Sequence, residues 1–511
     1  MALREYSVTT FTIFMAIIMY RALVVFKTPP SPEPCSDTQN HSRIKLTKEA
    51  LERFKIALEI PTISYGQHDY GPDQLLKLIR HIEVSFPYIH RSNFIKREIV
   101  ANYTLIYTIE GRNRRLRPYM LTSHMDVVPA VPEKWSQDPF HAVVKEDGHL
   151  YARGAMDAKH LLMSMMEALE TMVKNGQQPD RSFYMVFGHD EEVGGVEGAK
   201  TVADLLQKQL RDIGWNGLEY ILDEGNTISE TRPKGVDRPI AFIGVVEKGY
   251  VTIKLSTNGS VGHGSMPPPM TAITKLSVAL SKFHSHLFPS FFGQSVEKEM
   301  LEVLARYARW PHKMFYSNVW LFRPLFEHWF SSNPTLNGFI RTTTAVTMIG
   351  GGTKENVLPD SAYALVNHRI HPLQTVQDVL DYDTAVVNDP TIQVEIGGQR
   401  SGESTPTAPY GDDAFGYQMI KRSVQQVYPG TIVSPSTFLA ASDSKWYVDL
   451  TQSIYKFAAI SVQLGEMKRF HGHDERISLK NYENLINFFH HLILNSDSPD
   501  LYQEPKPRAE L

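Results

Sequence analysis

Five short segments of this 511-residue chain carry side chains suited to chemistry: His124 with Asp126, Asp157, the neighbours Glu191 and Glu192, Asp223, and His471 in His471-Gly-His-Asp-Glu475. Cys35 is the sole cysteine, so a metal site must use imidazole nitrogen and carboxylate oxygen. Acidic groups gathered in a crevice are costly to bury unless they are paired or metal-bound. Two divalent ions would satisfy this set: one imidazole and one terminal carboxylate on each, with a shared carboxylate holding them about 3.5–4 Å apart. His124 and Asp223 would serve one ion, Glu192 and His471 the other, and Asp157 would bridge. Glu191, next to a ligand but on the opposite side of extended backbone, is placed to take a proton from a water between the ions. Asp126, two residues from His124, suits the task of orienting that imidazole. His473 is a rival to His471, Glu475 reads as structural, and Glu224 reads as a capping or pairing residue.

Such side chains need a scaffold that gathers them. Residues 46–246 alternate helical stretches with short apolar runs, the pattern of a mostly parallel sheet flanked by helices. Strands are expected at 119–122, 182–188, 219–222 and 240–246, with a helix at 161–174 stopped by Gly176. His124 and Asp126 follow the first strand, Asp190 to Glu192 the second, and Asp223 the third. Open α/β sheets bind ligands at the carboxyl ends of their strands, so these residues belong to one crevice. Residues 247–406 read as a smaller α+β domain, with a strand at 250–255, a helix at 271–283 and strands at 342–349 and 361–370. An insert at 284–339, dense in Phe, Tyr and Trp, interrupts it. Residues 407–495 return to α/β and complete the first domain, leaving a tail at 496–511.

Composition narrows the function classes. With 42% apolar residues and Lys+Arg 52 against Asp+Glu 56, the chain is globular and shows no basic face, so nucleic acid is not an expected partner. Residues 6–26 are mostly apolar with Arg21 as their only charge and precede Pro29, Pro30, Pro32 and Pro34, which reads as a signal peptide or signal anchor over 1–27 and a linker over 28–45. Glycosylation acceptors at Asn40, Asn102 and Asn258 would suit a lumenal chain. The expected destination is secreted and extracellular, or anchored through the N-terminal segment with the catalytic domain lumenal.

The runs Ser123-His-Met-Asp-Val-Val-Pro129, Gly148 to Lys159, Asp190-Glu-Glu-Val-Gly-Gly195, Gly262-His-Gly-Ser-Met-Pro267, Asn356-Val-Leu-Pro-Asp360, Ser442-Asp-Ser-Lys445 and His471-Gly-His-Asp-Glu475 together carry a resemblance. Their order over residues 46–490 resembles the aminoacylase/carboxypeptidase family of co-catalytic zinc amidohydrolases. The resemblance implies an α/β zinc-peptidase-type catalytic domain with a mostly parallel central sheet, interrupted by a smaller ferredoxin-like α+β lid that in many members forms the dimer interface. It implies two Zn2+ on His124, Asp157, Glu192, Asp223 and His471, with Glu191 as proton acceptor and Asp126 as the orienting acid. His263 would match a lid histidine that stabilises the oxyanion, and Asn356 and Arg369 would match positions that hold the substrate carboxylate. Ala152 and His160 stand where glycine is common in the family.

The expected reaction is hydrolysis of an amide and, in reverse, its condensation. The signal-like N-terminus and aromatic insert are most similar to the branch of the family that acts on N-fatty-acyl amino acids, with the anchored Gly-X carboxypeptidases next. The expected partners are therefore a small-molecule substrate, a second copy through the lid, and a lipid or lipoprotein surface. Each buried methylene of an acyl chain is worth about 0.8 kcal/mol, so an apolar insert would select long acyl groups. The other reading of those aromatics is packing within the insert or at a dimer contact. A non-catalytic, receptor-like module on the same fold would have lost ligands.

Overall fold

The computed structural model describes residues 2–29 and 43–497. Asn40, most of the expected linker and residues 498–511 lie outside the described residues. Two compact units emerge, each assembled from separated stretches of chain.

The larger unit draws on residues 28–245, 407–435 and 442–511. Its sheet has eight strands in the order Ile432–Phe438, Ile240–Glu247, Ile454–Val462, Ile221–Ser229, Tyr119–His124, Phe183–Gly188, Thr104–Ile109 and Ile95–Val100. The four central strands, from Ile454–Val462 to Phe183–Gly188, run parallel, and the Thr104–Ile109 and Ile95–Val100 edge is antiparallel. Every residue of Tyr119–His124 and Phe183–Gly188 is buried, as parallel strands covered on both faces must be. Met120, Val186 and Ile221 on one face meet Ala199, Val202, Leu206 and Leu210 of the helix Ala199–Asp212. The helices Lys159–Lys174 and Leu479–Ser496 pack on each other, and Ser478 caps the second by accepting the N–H of Asn481.

The smaller unit draws on residues 1–27, 246–406 and 436–441. Its four-stranded antiparallel sheet has the order Thr343–Gly351, Ser361–Ile370, Gly249–Asn258, Ile392–Gly402. In chain order this is strand, helix, strand, strand, helix, strand, the split βαβ pattern of a ferredoxin-like domain. The helices Ala272–Ser285 and Val376–Val387 bury Leu276, Phe283 and Val379 against Val251, Ile253, Leu255 and Val366. A capping box between Thr375 and Asp378 starts the second helix.

The insert folds as the short helices Val296–Tyr307, His312–Ser317, Arg323–Ser331 and Pro334–Ile340. Its aromatics largely pack on one another: Phe292 lies 6.4 Å from Phe326 and 5.4 Å from Phe330, and Phe315 lies 4.7 Å from Phe322, centroid to centroid. Trp310, Trp320, Leu325 and Trp329 remain exposed.

The N-terminal segment, expected as a signal or anchor, forms the helix Ala2–Tyr20 continuing through Arg21–Val25, seated on this insert. Ile18, Ala22 and Phe26 are buried. Arg21 Nε donates to the Ser317 carbonyl (2.9 Å), Lys313 Nζ to that of Phe26 (2.8 Å) and Asn318 Nδ2 to that of Ile18 (3.3 Å). Among the described residues no helix is long and apolar enough to cross a membrane.

Candidate active site

His124 closes the strand Tyr119–His124 at its carboxyl end and is 1% exposed. Its Nδ1–H is directed at the carbonyl of Asp126 (2.9 Å), which leaves Nε2 facing Asp157 Oδ1 at 3.2 Å and Glu224 Oε2 at 3.3 Å. A backbone carbonyl that fixes one ring nitrogen as donor leaves the other as a metal ligand. Asp157 presents its second oxygen to His471: Oδ2 to Nε2 is 3.1 Å, and the same Nε2 lies 3.2 Å from Glu192 Oε2. One carboxylate thus spans two imidazoles contributed from positions 124 and 471.

Glu191 and Glu192 sit in a one-turn helix after the strand Phe183–Gly188. Their N–H groups both donate to the Asp126 carboxylate at 3.2 Å, and Ser64 Oγ donates to it at 2.8 Å. Asp126 Oδ1 also lies 3.4 Å from His124 Nδ1. His473 is exposed, and its carbonyl accepts from Arg469.

Electrostatics mark the cluster as one that positive charge would suit. Burial pushes the Glu191 carboxyl well above the usual range, reinforced by Glu224; Glu192 is raised by burial and Asp157. Burial raises Glu224 to about 8 and raises Asp223 as well. The two imidazoles supply what positive charge there is. Hydrogen bonds donated to Asp157 and Glu192 lift His471 to about 10, while His124, although burial opposes it, is held far above its ordinary value by Glu224, Asp126 and Asp157. Glu192 Oε1 is buried with no hydrogen-bond partner. One buried and one exposed imidazole, crowded carboxylates and an orphaned carboxylate oxygen fit a pair of divalent cations.

The two acidic neighbours at 223 and 224 are placed differently. Glu224, not Asp223, faces His124. Both Asp223 oxygens are engaged, Oδ1 by the Glu224 N–H (2.8 Å) and Oδ2 by Ser444 Oγ (2.8 Å). The cause is local: pairing between Ile221–Ser229 and Ile454–Val462 slips after Asp223, so that Lys456 pairs with Asp223 but Phe457 with Asn226. A bulge re-aims the side chain that strand alternation would have sent elsewhere. Gly225 permits it, since a Cβ there would lie 2.5 Å from Lys456. Ser64 and Ser444 also escaped the sequence reading, because each acts through another side chain.

The lid residues belong to the smaller unit. His263 pairs with Val357 in a two-strand ribbon, and the Gly264 N–H donates to the Asn356 carbonyl (2.8 Å), so His263 and Asn356 share one exposed loop cluster. Arg369 lies near the far end of the strand Ser361–Ile370, over the Tyr250 ring at 4.8 Å. The strand carries it roughly 26 Å from Ser361 at about 3.3 Å per residue, and Asn356 lies in the loop before Ser361. Within this unit the structure does not bring Asn356 and Arg369 together.

Fold and site define a co-catalytic metallohydrolase, and residues 120–495 match the model of Peptidase family M20/M25/M40. The chain belongs to that family. It is 41% identical over 456 residues, 89% of its length and 87% of the relative's, to the N-fatty-acyl-amino acid synthase/hydrolase of Danio rerio. To the corresponding enzyme of Homo sapiens it is 38% identical over 459 residues, 90% of this chain and 88% of that one. In fold it is similar to an M20 family metallo-carboxypeptidase from Sulfolobus solfataricus, with a TM-score of 0.62, 16% identity, and coverage of 88% of this chain and 100% of the other.

Proposed function

We propose that this protein hydrolyses N-fatty-acyl amino acids to fatty acid and amino acid, and condenses them in reverse, using two Zn2+. The observation that carries the reading is the Asp157 carboxylate placed between His124 Nε2 and His471 Nε2. The relatives named for this activity, matching about nine-tenths of the chain, support the substrate class.

His124 and Glu224 would hold one ion and Glu192 and His471 the other, with Asp157 placed to serve both. Bound there, the ions supply Lewis acidity toward the amide carbonyl and a place for the attacking water. Glu191, raised by burial and by neighbouring acids, accepts the water's proton and returns it to the leaving amine. Asp126 fixes the Glu191–Glu192 turn and flanks His124. His263 supplies a hydrogen-bond donor to the oxyanion: its Nδ1 accepts the Ser265 N–H (3.2 Å), so in the neutral ring the proton resides on Nε2. Arg369 and Asn356 are the lid residues that would hold the substrate carboxylate.

The lid offers two contact surfaces. The edge strand Thr343–Gly351, with exposed Val346, Met348 and Ile349, suits pairing with a second copy. Exposed Trp310, Trp320, Leu325 and Trp329 suit a lipid or lipoprotein surface that delivers the acyl chain. Exposed Asn102 and Asn258 agree with a secreted, glycosylated chain, and an anchored lumenal form is the alternative.

The test is a comparison of oleoyl and acetyl amides of one amino acid. The oleoyl amide is expected to have the higher kcat/KM by at least two orders of magnitude, since several methylenes at about 0.8 kcal/mol each suffice. Equal values would remove the lipid assignment, and preferential cleavage of Gly-X dipeptides would replace it with a carboxypeptidase.

A further inference from the structure

Arg153 and Glu475 stand outside the ligand set, yet each reaches into the loop that carries the other's neighbouring ligand. Arg153 lies four residues before Asp157 and Glu475 four after His471. Arg153 Nη2 donates to the carbonyl of Gly472, the residue after His471, at 3.0 Å. In return Glu475 Oε1 accepts the N–H of Met156 (2.6 Å) and of Asp157 itself (3.1 Å). The two side chains close on each other, Nη1 to Oε2 at 2.7 Å, with exposures of 2% and 0%. A backbone bond from Ala152 N–H to the Glu475 carbonyl (3.1 Å) runs alongside, and the Trp135 ring covers the guanidinium at 5.2 Å.

The loop so held is one that an unconstrained chain would seldom adopt. His471 has φ +54° and Asp474 φ +53°, and a Cβ on Gly472 would come within 2.2 Å of the Lys468 carbonyl. Its base is clamped by Glu466, whose two oxygens take Arg476 Nε (2.9 Å) and Nη2 (3.0 Å). A buried ion pair is weak evidence of stability, because desolvation cancels much of its attraction, whereas groups behind metal ligands act strongly on metal retention. Glu475 has both oxygens occupied by protein donors and is not itself a ligand.

We propose that Arg153 and Glu475 are positioning residues: a reciprocal latch that sets the spacing of Asp157 and His471 and thereby retains the ion held by Glu192 and His471. The inference rests on the metal site proposed above. The test uses the full chain with Glu475→Gln, which keeps an acceptor for both N–H groups and loses the charge, and Arg153→Lys, which keeps the charge and loses the Gly472 contact. Bound zinc is counted after dialysis against graded chelator, the Co2+-loaded proteins are compared by absorption spectrum, and the unfolding temperature of metal-stripped protein is measured. Wild type is expected to hold two equivalents, and each variant to release one at about 10- to 100-fold lower chelator with an altered Co2+ spectrum. Release at the wild-type chelator concentration in both variants would overturn the latch. So would a lowered unfolding temperature of the stripped protein with unchanged metal release, since the pair would then be structural only. Wild type that binds no metal would instead remove the metal site on which the inference stands.

Discussion

Asp126 organises more of the site than any ligand does. Its carboxylate gathers the N–H groups of Glu191 and Glu192 and the hydroxyl of Ser64, and its own backbone carbonyl sets the His124 tautomer. Glu191 is thereby held in one cluster with His124 and Glu224. Glu191→Gln is expected to retain two equivalents of metal and lose at least 100-fold in kcat, the usual worth of a positioned proton acceptor; near-normal turnover would assign the proton to another group. Asp223 and Glu224 divide the remaining acidic work. Glu224→Gln is expected to cost one equivalent of metal, whereas Asp223→Asn, whose partners are Ser444 and a backbone N–H, keeps both ions with weaker affinity. The reverse pattern would return the ligand role to Asp223. At this scale the gathering of His124, Asp157, Glu191, Glu192 and His471 was legible, because acidic groups that follow strand ends into one crevice are costly to bury without a cation. Glu224 was not legible, because the bulge at Gly225 inverts a facing that period-two alternation assigns to its neighbour.

Elements with a clear apolar run or a clear apolar alternation were the readable ones. The expected strand 182–188 appears as Phe183–Gly188, 361–370 as Ser361–Ile370, and the helix 161–174 as Lys159–Lys174. The lid strand Ile392–Gly402 was not read, since its Gly397, Gly398 and Gly402 weaken the strand signal. Within the lid, His371 is buried against Phe291, stacked at 4.8 Å, and burial together with Lys248 pushes its pKa down to about 4. The unfolded chain, near 6.5, binds a proton that the folded lid refuses. Stability should therefore rise with pH between about 4 and 6.5 and be lost as pH falls through that window. His371→Gln is expected to flatten that part of the unfolding-midpoint profile relative to wild type; parallel profiles would mean that His371 does not titrate on unfolding.

At the scale of the whole molecule, chain order and fold agree, but two assignments depend on contacts distant in sequence. Residues 436–441 join the smaller unit although their neighbours on both sides belong to the larger one, which no local pattern announces. The N-terminal helix is apolar by composition, yet only the carbonyls it offers to Lys313 and Asn318 and the donor Arg21 presents to Ser317 show how it sits on the insert. The insert is a packed aromatic cluster that also leaves tryptophans exposed, so the packing reading of its composition describes its buried residues.

The most direct measurement of the central claim is turnover of an oleoyl-amino acid by purified protein before metal stripping, after it, and after titration with Zn2+. Hydrolysis is predicted to vanish on stripping and to return in proportion to added zinc, saturating at two equivalents per chain. Undiminished hydrolysis by stripped protein, or restored metal without turnover, would contradict it.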